Sequence, residues 1–397
     1  SSRSKRTTAR SRKGESIFAS AEHITRDRTL KGPRPPRKLA YTGAMHTLTR
    51  VRDGWFVCAA AAALSCGGES ALRSTSLEPR RATQAPREAE SGVQEVSGTT
   101  PVPPATDPSE RIAYEHAGSI WVMEANGLRA FELTSRVPDV KDENPAFRPR
   151  GGAVAFSSSR AGSPRIYLAG LDGTGMRPFT NPPEGADREP AWSADGNFLA
   201  FVREHSTGRR DIMVRAVKDD DSIERVLVRG NDDNQEVVGA PTWSPDGTSV
   251  VFAADRSEGV GTTLWRVGLD GPRLARVTSP QTSPWRQDVH PALSPDGELI
   301  AFASNRHARG EEDRADLDIY LFEVKSGRVL RLTRDQGVAN EPSFSPDGRR
   351  LYFTSTRDAA RAYATEIFVM SARGGVQNRV TRDEIPQNSC PSAALLK

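Results

Sequence analysis

The sequence predicts an all-β fold: a six-bladed β-propeller of four-stranded blades, with one blade split between the N- and C-terminal ends of the domain. Three observations predict it. The strings ENPAFRPRGGAVAFSSSR, REPAWSADGNFLAFVREH, GAPTWSPDGTSVVFAADR, VHPALSPDGELIAFASNR and NEPSFSPDGRRLYFTSTR are copies of one motif, with prolines Pro145, Pro190, Pro241, Pro291 and Pro342 at intervals of 45, 51, 50 and 51 residues. Each copy is followed by two further strand-like segments before the next begins. The two ends of the repeat region are each incomplete, and each supplies what the other lacks. Four short strands recurring at this period are the grammar of propeller blades.

The innermost strand of each blade is the short apolar segment around the motif proline. The turn after it uses Ser-Pro-Asp-Gly, with Ala194 for Pro in one copy and a degenerate Arg-Pro-Arg-Gly in another. Pro presets φ at the first corner of a type I turn, Asp tolerates the next, and Gly supplies the positive φ that restarts the strand. Ser244, Ser294 and Ser345 are placed to bond the turn backbone. In the second strand Phe156, Phe201, Phe252, Phe302 and Phe353 alternate with small residues at period two, as in a sheet packed on both neighbours. RIYLAG, DIMVRAV, TLWRVGL, DIYLFEV and EIFVMSA supply the third strand, and segments ending at Thr180, Val228, Thr278, Thr333 and Thr381 the fourth.

Ahead of the first full copy, RIAY, SIWVM and AFELT match strands two, three and four. Pro391 follows Thr381 by ten residues, as Pro190 follows Thr180, so Cys390-Pro391-Ser392-Ala393 matches strand one alone. The C-terminus is expected to complete the N-terminal blade and close the ring, which removes the exposed edges of an open stack.

The rest of the chain reads as an address and a tether. Residues 1–44 hold 12 Lys/Arg against 3 Asp/Glu, and residues 45–397 hold 43 against 48. The basic surplus therefore belongs to a disordered leader, which an over-translated upstream stretch would explain, and not to a nucleic-acid-binding body. From Met45 the chain reads MHTLTRVRDGWFVCAAAAALSCGGES: Arg50 and Arg52, ten apolar residues from Trp55 to Leu64, then Ser65-Cys66. Residues 45–66 are expected to be a lipoprotein-type signal peptide with Cys66 the lipidated residue, plain secretion being the alternative. Residues 67–109 are rich in Ser, Thr, Pro and Glu and are expected to be a disordered tether. Residues 110–397 make the propeller. With Cys58 and Cys66 in the leader, Cys390 has no partner for a disulfide framework.

The repeats AWSADGNFLAFV, TWSPDGTSVVFA and SFSPDGRRLYFTSTR resemble those of the TolB-type propellers, the WD40-like Asp-Gly (PD40) repeat family. The resemblance covers about 111–397. It implies an exported, periplasmic or outer-membrane protein of a Gram-negative envelope, a monomer touching the membrane only through a lipid anchor. The α/β domain that precedes the propeller in TolB does not fit residues 67–109. The resemblance also implies that one mouth of the channel receives a protein partner, an envelope protein, with a peptidoglycan-associated one among the candidates.

The loops before each motif proline ring that mouth, by propeller geometry. Glu143, Asn144, Arg188, Glu189, His290, Asn340 and Glu341 are therefore the expected partner-binding residues. No catalytic residue, metal site or cofactor is assigned. G-x-S-x-G, H-E-x-x-H and C-x-x-C do not occur, and a hydrolase domain is not expected between the repeats and Lys397. Arg160, Arg256, Arg306 and Arg357 recur four residues after the strand-two Phe, with His205 in the remaining copy, and Asp211, Asp318 and Glu366 begin strand three. These read as a scaffold of Arg–carboxylate pairs. The expected function is a non-catalytic interaction scaffold. The alternatives are a carbohydrate-binding or metal-dependent carbohydrate-active propeller, which would gather His116, His205, His290 or His307 at one mouth, and a propeller acting in trans with a peptidase.

Overall fold

The computed structural model describes residues 93–95 and 99–395, apart from 106, 150, 219–222, 231–234, 257–260, 280–284, 335–336, 358–363 and 382–387. The expected leader 1–44, signal segment 45–66 with Cys66, and most of the tether 67–109 lie outside the described residues.

Six sheets follow one another along the chain. The first is the split blade, β2 (Glu110–His116), β3 (Ser119–Glu124) and β4 (Phe131–Glu132), with β25 (Asn388–Leu395) on its inner edge. The second blade is β5 (Asp142–Phe147), β6 (Val154–Ser158), β7 (Arg165–Ala169) and β8 (Arg177–Pro178). The third is β9 (Ala186–Trp192), β10 (Phe198–Glu204), β11 (Arg210–Ala216) and β12 (Arg225–Val228). The fourth is β13 (Gln235–Trp243), β14 (Ser249–Arg256), β15 (Thr262–Gly268) and β16 (Gly271–Arg276). The fifth is β17 (Asp288–Leu293), β18 (Leu299–Ser304), β19 (Asp318–Glu323) and β20 (Val329–Arg331). The sixth is β21 (Ala339–Phe344), β22 (Arg350–Ser355), β23 (Glu366–Ser371) and β24 (Asn378–Arg379). Neighbouring strands within each blade are antiparallel.

The split blade closes as the ends of the chain require. β25 pairs antiparallel with β2 from Glu110↔Leu395 to His116↔Asn388. One feature departs from the expected tether. Val93–Glu95 (β1) adds to the outer edge of the fifth blade, parallel to Val329–Arg331. The outer edge of β20 offers unpaired N–H and C=O groups that an extended segment can satisfy. Further along, Val376 N–H donates to Thr100 O at 2.8 Å, and Val102 packs on the apolar cluster of Tyr114, Met123 and Ile367.

The motif letters acquire physical roles. In each turn the Gly N–H donates back to the Ser carbonyl, at 2.8–2.9 Å in the Ser193, Ser244, Ser294 and Ser345 copies. The Ser hydroxyl donates to the turn Asp and accepts the N–H five residues on, as in Ser294 Oγ with Asp296 and Leu299. The Ser244 hydroxyl and the Thr248 N–H hold the Asp246 carboxyl down to about 2. Gly297 has φ +73°, and an added Cβ would lie 3.3 Å from Pro245, because each turn nests on the turn of the preceding blade.

The strand-two phenylalanines are fully buried. Phe156 stacks on Tyr167, Phe302 on Tyr320 and Phe353 on Phe368, with centroids 5.8–6.1 Å apart. Arg160, Arg306 and Arg357 lie over these rings. Arg160 and Arg306 also bridge to Asp142 and Asp288, each at 2.6 Å. The carboxylate partner is thus at the start of the inner strand, while the strand-three acids Asp318 and Glu366 pair with Arg331 and Arg379 of strand four. The strand-four threonines accept a backbone N–H near the start of strand three, as Thr333 Oγ1 does from Ile319 at 2.9 Å.

Polar contacts cross the apolar seams between blades. Trp192 Nε1 donates to Ala146 O and Trp243 Nε1 to Ala191 O, each at 3.0 Å. Where the C-terminal strand meets the second blade, Phe147 N–H donates to Ser392 Oγ at 3.1 Å. Between the sixth and split blades, Tyr352 OH donates to Glu110 Oε1 at 2.7 Å and Arg350 pairs with the same carboxylate, all three side chains being buried. Burial pushes the Glu110 carboxyl up, against the pull of Tyr352 and Arg350. Removing one member of a buried ion pair strands the other charge. Glu110→Ala is therefore expected to cost about 3–5 kcal/mol in urea unfolding, and adding Arg350→Met should recover much of the loss. Equal stability of wild type and Glu110→Ala would show that the pair does not hold the closing seam.

Candidate channel mouth

Proline has no N–H to give a strand partner, and each motif proline sits where the ladder is interrupted. In β5, Glu143 pairs with Ser157 and Ala146 with Ala155, leaving Asn144-Pro145 opposite Phe156 alone. The same two-against-one bulge sets Glu189-Pro190 opposite Phe201, Ala240-Pro241 opposite Phe252, His290-Pro291 opposite Phe302 and Glu341-Pro342 opposite Phe353. In the split blade it sets Cys390-Pro391 opposite Tyr114. The residue before the proline takes a left-handed backbone: φ is +53° at Asn144, +55° at Glu189, +52° at Ala240, +50° at His290 and +52° at Glu341. Such a conformation costs a non-glycine residue about 1–2 kcal/mol, and a bulge re-aims the side chain that carries it.

The side chains are re-aimed at the axis. Asn144, Glu189, Ala240, His290 and Glu341 line an axial cavity of about 630 Å³. Its far end is ringed by the turn residues Pro149, Ala194, Pro245, Pro295 and Pro346, and its wall includes Phe147, Trp192, Trp243 and Phe344. The channel is thus polar at one mouth and apolar beyond it.

Around the rim the polar groups clasp one another from blade to blade. Arg188 donates to Glu143 at 2.6 Å. The Glu189 carboxylate accepts the Ala240 N–H of the next blade. His290 Nδ1 is 2.7 Å from Asn340 Oδ1, the ring N–H donating to the amide oxygen. Thr354 Oγ1 lies 3.1 Å from Asn340 O and 3.3 Å from Glu341 Oε2. Gly239 explains why the fourth blade departs from the pattern: its φ is +138°, and an added Cβ would lie 2.3 Å from Glu189 Oε2.

Of the residues expected at the mouth, Asn144, Glu189, His290 and Glu341 line the cavity. Glu143, Arg188 and Asn340 stand one position earlier on the strand and serve the clasps instead. Sequence reasoning missed Glu115 of the split blade. Burial and the carboxylates of Glu143 and Glu341 push its carboxyl up to about 8, against a hydrogen bond from Ser389. A signal was available: Glu115 follows Tyr114, where the other blades have Ser157, Val202, Ala253, Ala303 and Thr354.

The other histidines do not join His290. His205 pairs with Asp211 at 2.7 Å inside the third blade, His307 lies 3.2 Å from Tyr320 OH in the fifth, and His116 meets Trp121 edge-on. Among the described residues no three His, Cys, Asp or Glu side chains are grouped to hold a metal ion.

Comparison with known proteins places this geometry. The model of the TolB beta propeller domain (PD40) matches residues 110–285 and 287–394. "Uncharacterized peptidase YuxL" of Bacillus subtilis is 26% identical over 237 residues, 57% of this chain and 32% of that protein. "Uncharacterized protein Atu1656" of Agrobacterium fabrum is 28% identical over 207 residues, 50% of this chain and 65% of that protein. The chain thus spans about a third of the first relative's length and just under two thirds of the second's. Among solved structures, TolB from Acinetobacter baumannii superposes with a TM-score of 0.59 at 20% identity, over 74% of this chain and 68% of that one. That likeness is one of fold.

The raised Glu115 carboxyl makes stability depend on pH. Its ordinary value is 4.5 and its folded value about 8, so between these the folded state keeps a proton that the unfolded chain releases. Stability then falls as pH rises from about 4.5 to about 8 and levels off above. Glu115→Gln should flatten this part of a melting-temperature profile taken from pH 5 to 9. An unchanged slope in the variant would remove Glu115 from the mouth's electrostatics.

Proposed function

We propose, for a chain that belongs to the TolB β-propeller (PD40) family, that the polar channel mouth receives a segment of a partner protein and that the chain works as a non-catalytic interaction scaffold. The observation that carries this reading is the ring of proline bulges. It holds Asn144, Glu189, His290 and Glu341 in left-handed conformations around one opening, with an apolar channel behind. Backbone strain repeated at one rim and directed into a cavity is what a rigid recognition surface needs. Glu143, Glu189 and Glu341 give that mouth a carboxylate-rich character, which favours a segment bearing a Lys, an Arg or a free amino terminus, with apolar residues for the deeper wall.

Cross-linking from envelope membranes, with Asn144→Arg/Glu341→Lys beside the wild type, tests it. Both substituted side chains line the channel, and the rim clasps of Glu143, Arg188 and Glu189 are left in place. The wild type should capture one stoichiometric envelope protein through channel-mouth cross-links, and the equally stable variant should lose it. Capture unchanged by the substitutions would move the contact elsewhere. Recovery of a peptidase instead would favour the second reading, a propeller serving a hydrolase in trans, which the similarity to part of YuxL supports.

The partner follows from the same resemblance: an envelope protein, a peptidoglycan-associated one being the first to try. Export fits the apolar stretch before Cys66, and a lipid at Cys66 would hold the propeller near a membrane on residues 67–92. Labelling a chain begun at Met45 with a radioactive fatty acid should mark the wild type and not Cys66→Ser. Label retained by the variant would refute the anchor.

A further inference from the structure

Blades four, five and six share an arginine on strand four, directly across from an aromatic residue of strand three: Arg276 from Trp265, Arg331 from Tyr320 and Arg379 from Phe368. In the fifth and sixth blades this guanidinium has a carboxylate, from the acid that opens strand three. Arg331 Nε donates to Asp318 Oδ2 at 2.8 Å, and Arg379 pairs with Glu366. The same carboxylate accepts the strand-four threonine hydroxyl, Thr333 Oγ1 to Asp318 Oδ1 at 2.7 Å and Thr381 Oγ1 to Glu366. Each acid is buried, and its two oxygens are shared between a guanidinium and a hydroxyl.

The fourth blade keeps the donors and lacks the acid. Arg276 stacks on Trp265, its guanidinium carbon 4.9 Å from the ring centroid. Thr278 holds the position of Thr333 and accepts the Leu264 N–H at 3.0 Å, as Thr333 accepts that of Ile319. The place of Asp318 and Glu366 is taken by Thr263. Thr263 is 1% exposed, and its hydroxyl has no hydrogen-bond partner. The Nε of Arg276 is likewise buried without an acceptor. An arginine stays charged at any physiological pH and carries five donors and no acceptor. Buried donors left unpaired are costly, and native structures pair nearly all of them with protein groups, ordered water, an ion or a ligand. The unmet donors are the Arg276 Nε–H and the Thr263 hydroxyl, and the Thr278 hydroxyl, which accepts from Leu264, has its own proton to offer beside them.

We propose that the fourth blade binds a small free carboxylate between Arg276, Thr263 and Thr278, where the fifth and sixth blades place the side chains of Asp318 and Glu366. Exchange of Asp for the shorter Thr removes the carboxyl group and leaves the groups that surround it. The ligand's head therefore accepts from the guanidinium on one oxygen and from a threonine hydroxyl on the other, a charge-assisted pairing of the kind arginine favours. Because Thr263 is almost wholly covered, the site admits a compact head in preference to a carboxylate carried on a protein backbone. The strands that bear these residues open and close on the face of the channel mouth, so the site lies radially outward from the mouth on the same side of the propeller.

The test uses the full chain, sodium acetate as the probe and sodium chloride at matched ionic strength as the reference. Acetate should raise the melting temperature of the wild type in a saturable way that chloride does not reproduce, since a ligand that binds only the folded state stabilises it. Thr263→Asp installs the missing carboxylate within the chain. It should melt higher than the wild type and lose the acetate response. Arg276→Gln should lose the response without the gain, and it keeps the test open should Thr263→Asp fold poorly. Equal effects of acetate and chloride on the wild type, or an acetate response that survives in both variants, would overturn the proposal. Displacement of acetate by N-acetyl-glutamate amide at equal concentration would overturn its restriction to small free carboxylates and assign the site to a partner's side chain.

Discussion

The structure depends on the pairing of β25 with β2. A propeller blade buries one face against the blade before it and the other against the blade after it, so a row of blades leaves two apolar faces bare until the row becomes a ring. Here the ring closes by six register pairs between segments at opposite ends of the repeat region. The buried group of Glu110, Arg350 and Tyr352 then bridges the closing seam. A buried ion pair contributes little net stability against apolar residues of equal volume, but it penalises every arrangement in which one charge is left alone. At this seam it favours one partner for the split blade over any slipped alternative.

Repetition separates scaffold from departure. The Asp-Gly turns, the stacked aromatics beneath arginine and the threonines that receive an amide near the start of strand three recur because blades of one design share the same backbone problem. Such residues say little about binding, since a single site does not need a copy in every blade. Departures are more informative. Gly239 stands where other blades have a side chain because the Glu189 carboxylate crosses to that backbone. Thr263 stands where an acid would neutralise Arg276, and buried donors are left over. Glu115 stands where other blades place small or apolar residues, and it brings a carboxyl into a crowd of carboxylates.

The channel mouth combines both. Its bulges are repeated, because a proline cannot complete the ladder, while the side chains on them differ: Asn144, Glu189, Ala240, His290 and Glu341. A uniform backbone device thus presents a non-uniform ring, the arrangement from which specificity can be drawn without altering the fold. The clasps Arg188–Glu143, Glu189–Ala240 and His290–Asn340 stiffen that ring and occupy part of its hydrogen-bonding capacity. A segment docking there, as proposed, would meet a rim already organised and so lose less freedom than it would against mobile loops.

The sequence by itself determined the fold class, the number of blades and the closure. Each rests on local patterns: period-two burial, turn chemistry and a constant interval between prolines. It also located the rim, since the residue before each motif proline is the one that lines the channel. It could not separate Asn144 from Glu143, or Glu341 from Asn340, because which of two adjacent side chains faces the axis is decided by a bulge of two residues against one. Nor did periodicity mark Val93–Glu95, whose pairing with the fifth blade depends on an edge almost two hundred and forty residues away. The partners of charged groups were decided by tertiary structure as well. Arg160 and Arg306 are satisfied by acids at the start of the inner strand, and Asp318 and Glu366 by strand four. Local sequence sets which residues can form a strand, but an ion pair depends on distance across the sheet, and that is known only once the strands are side by side.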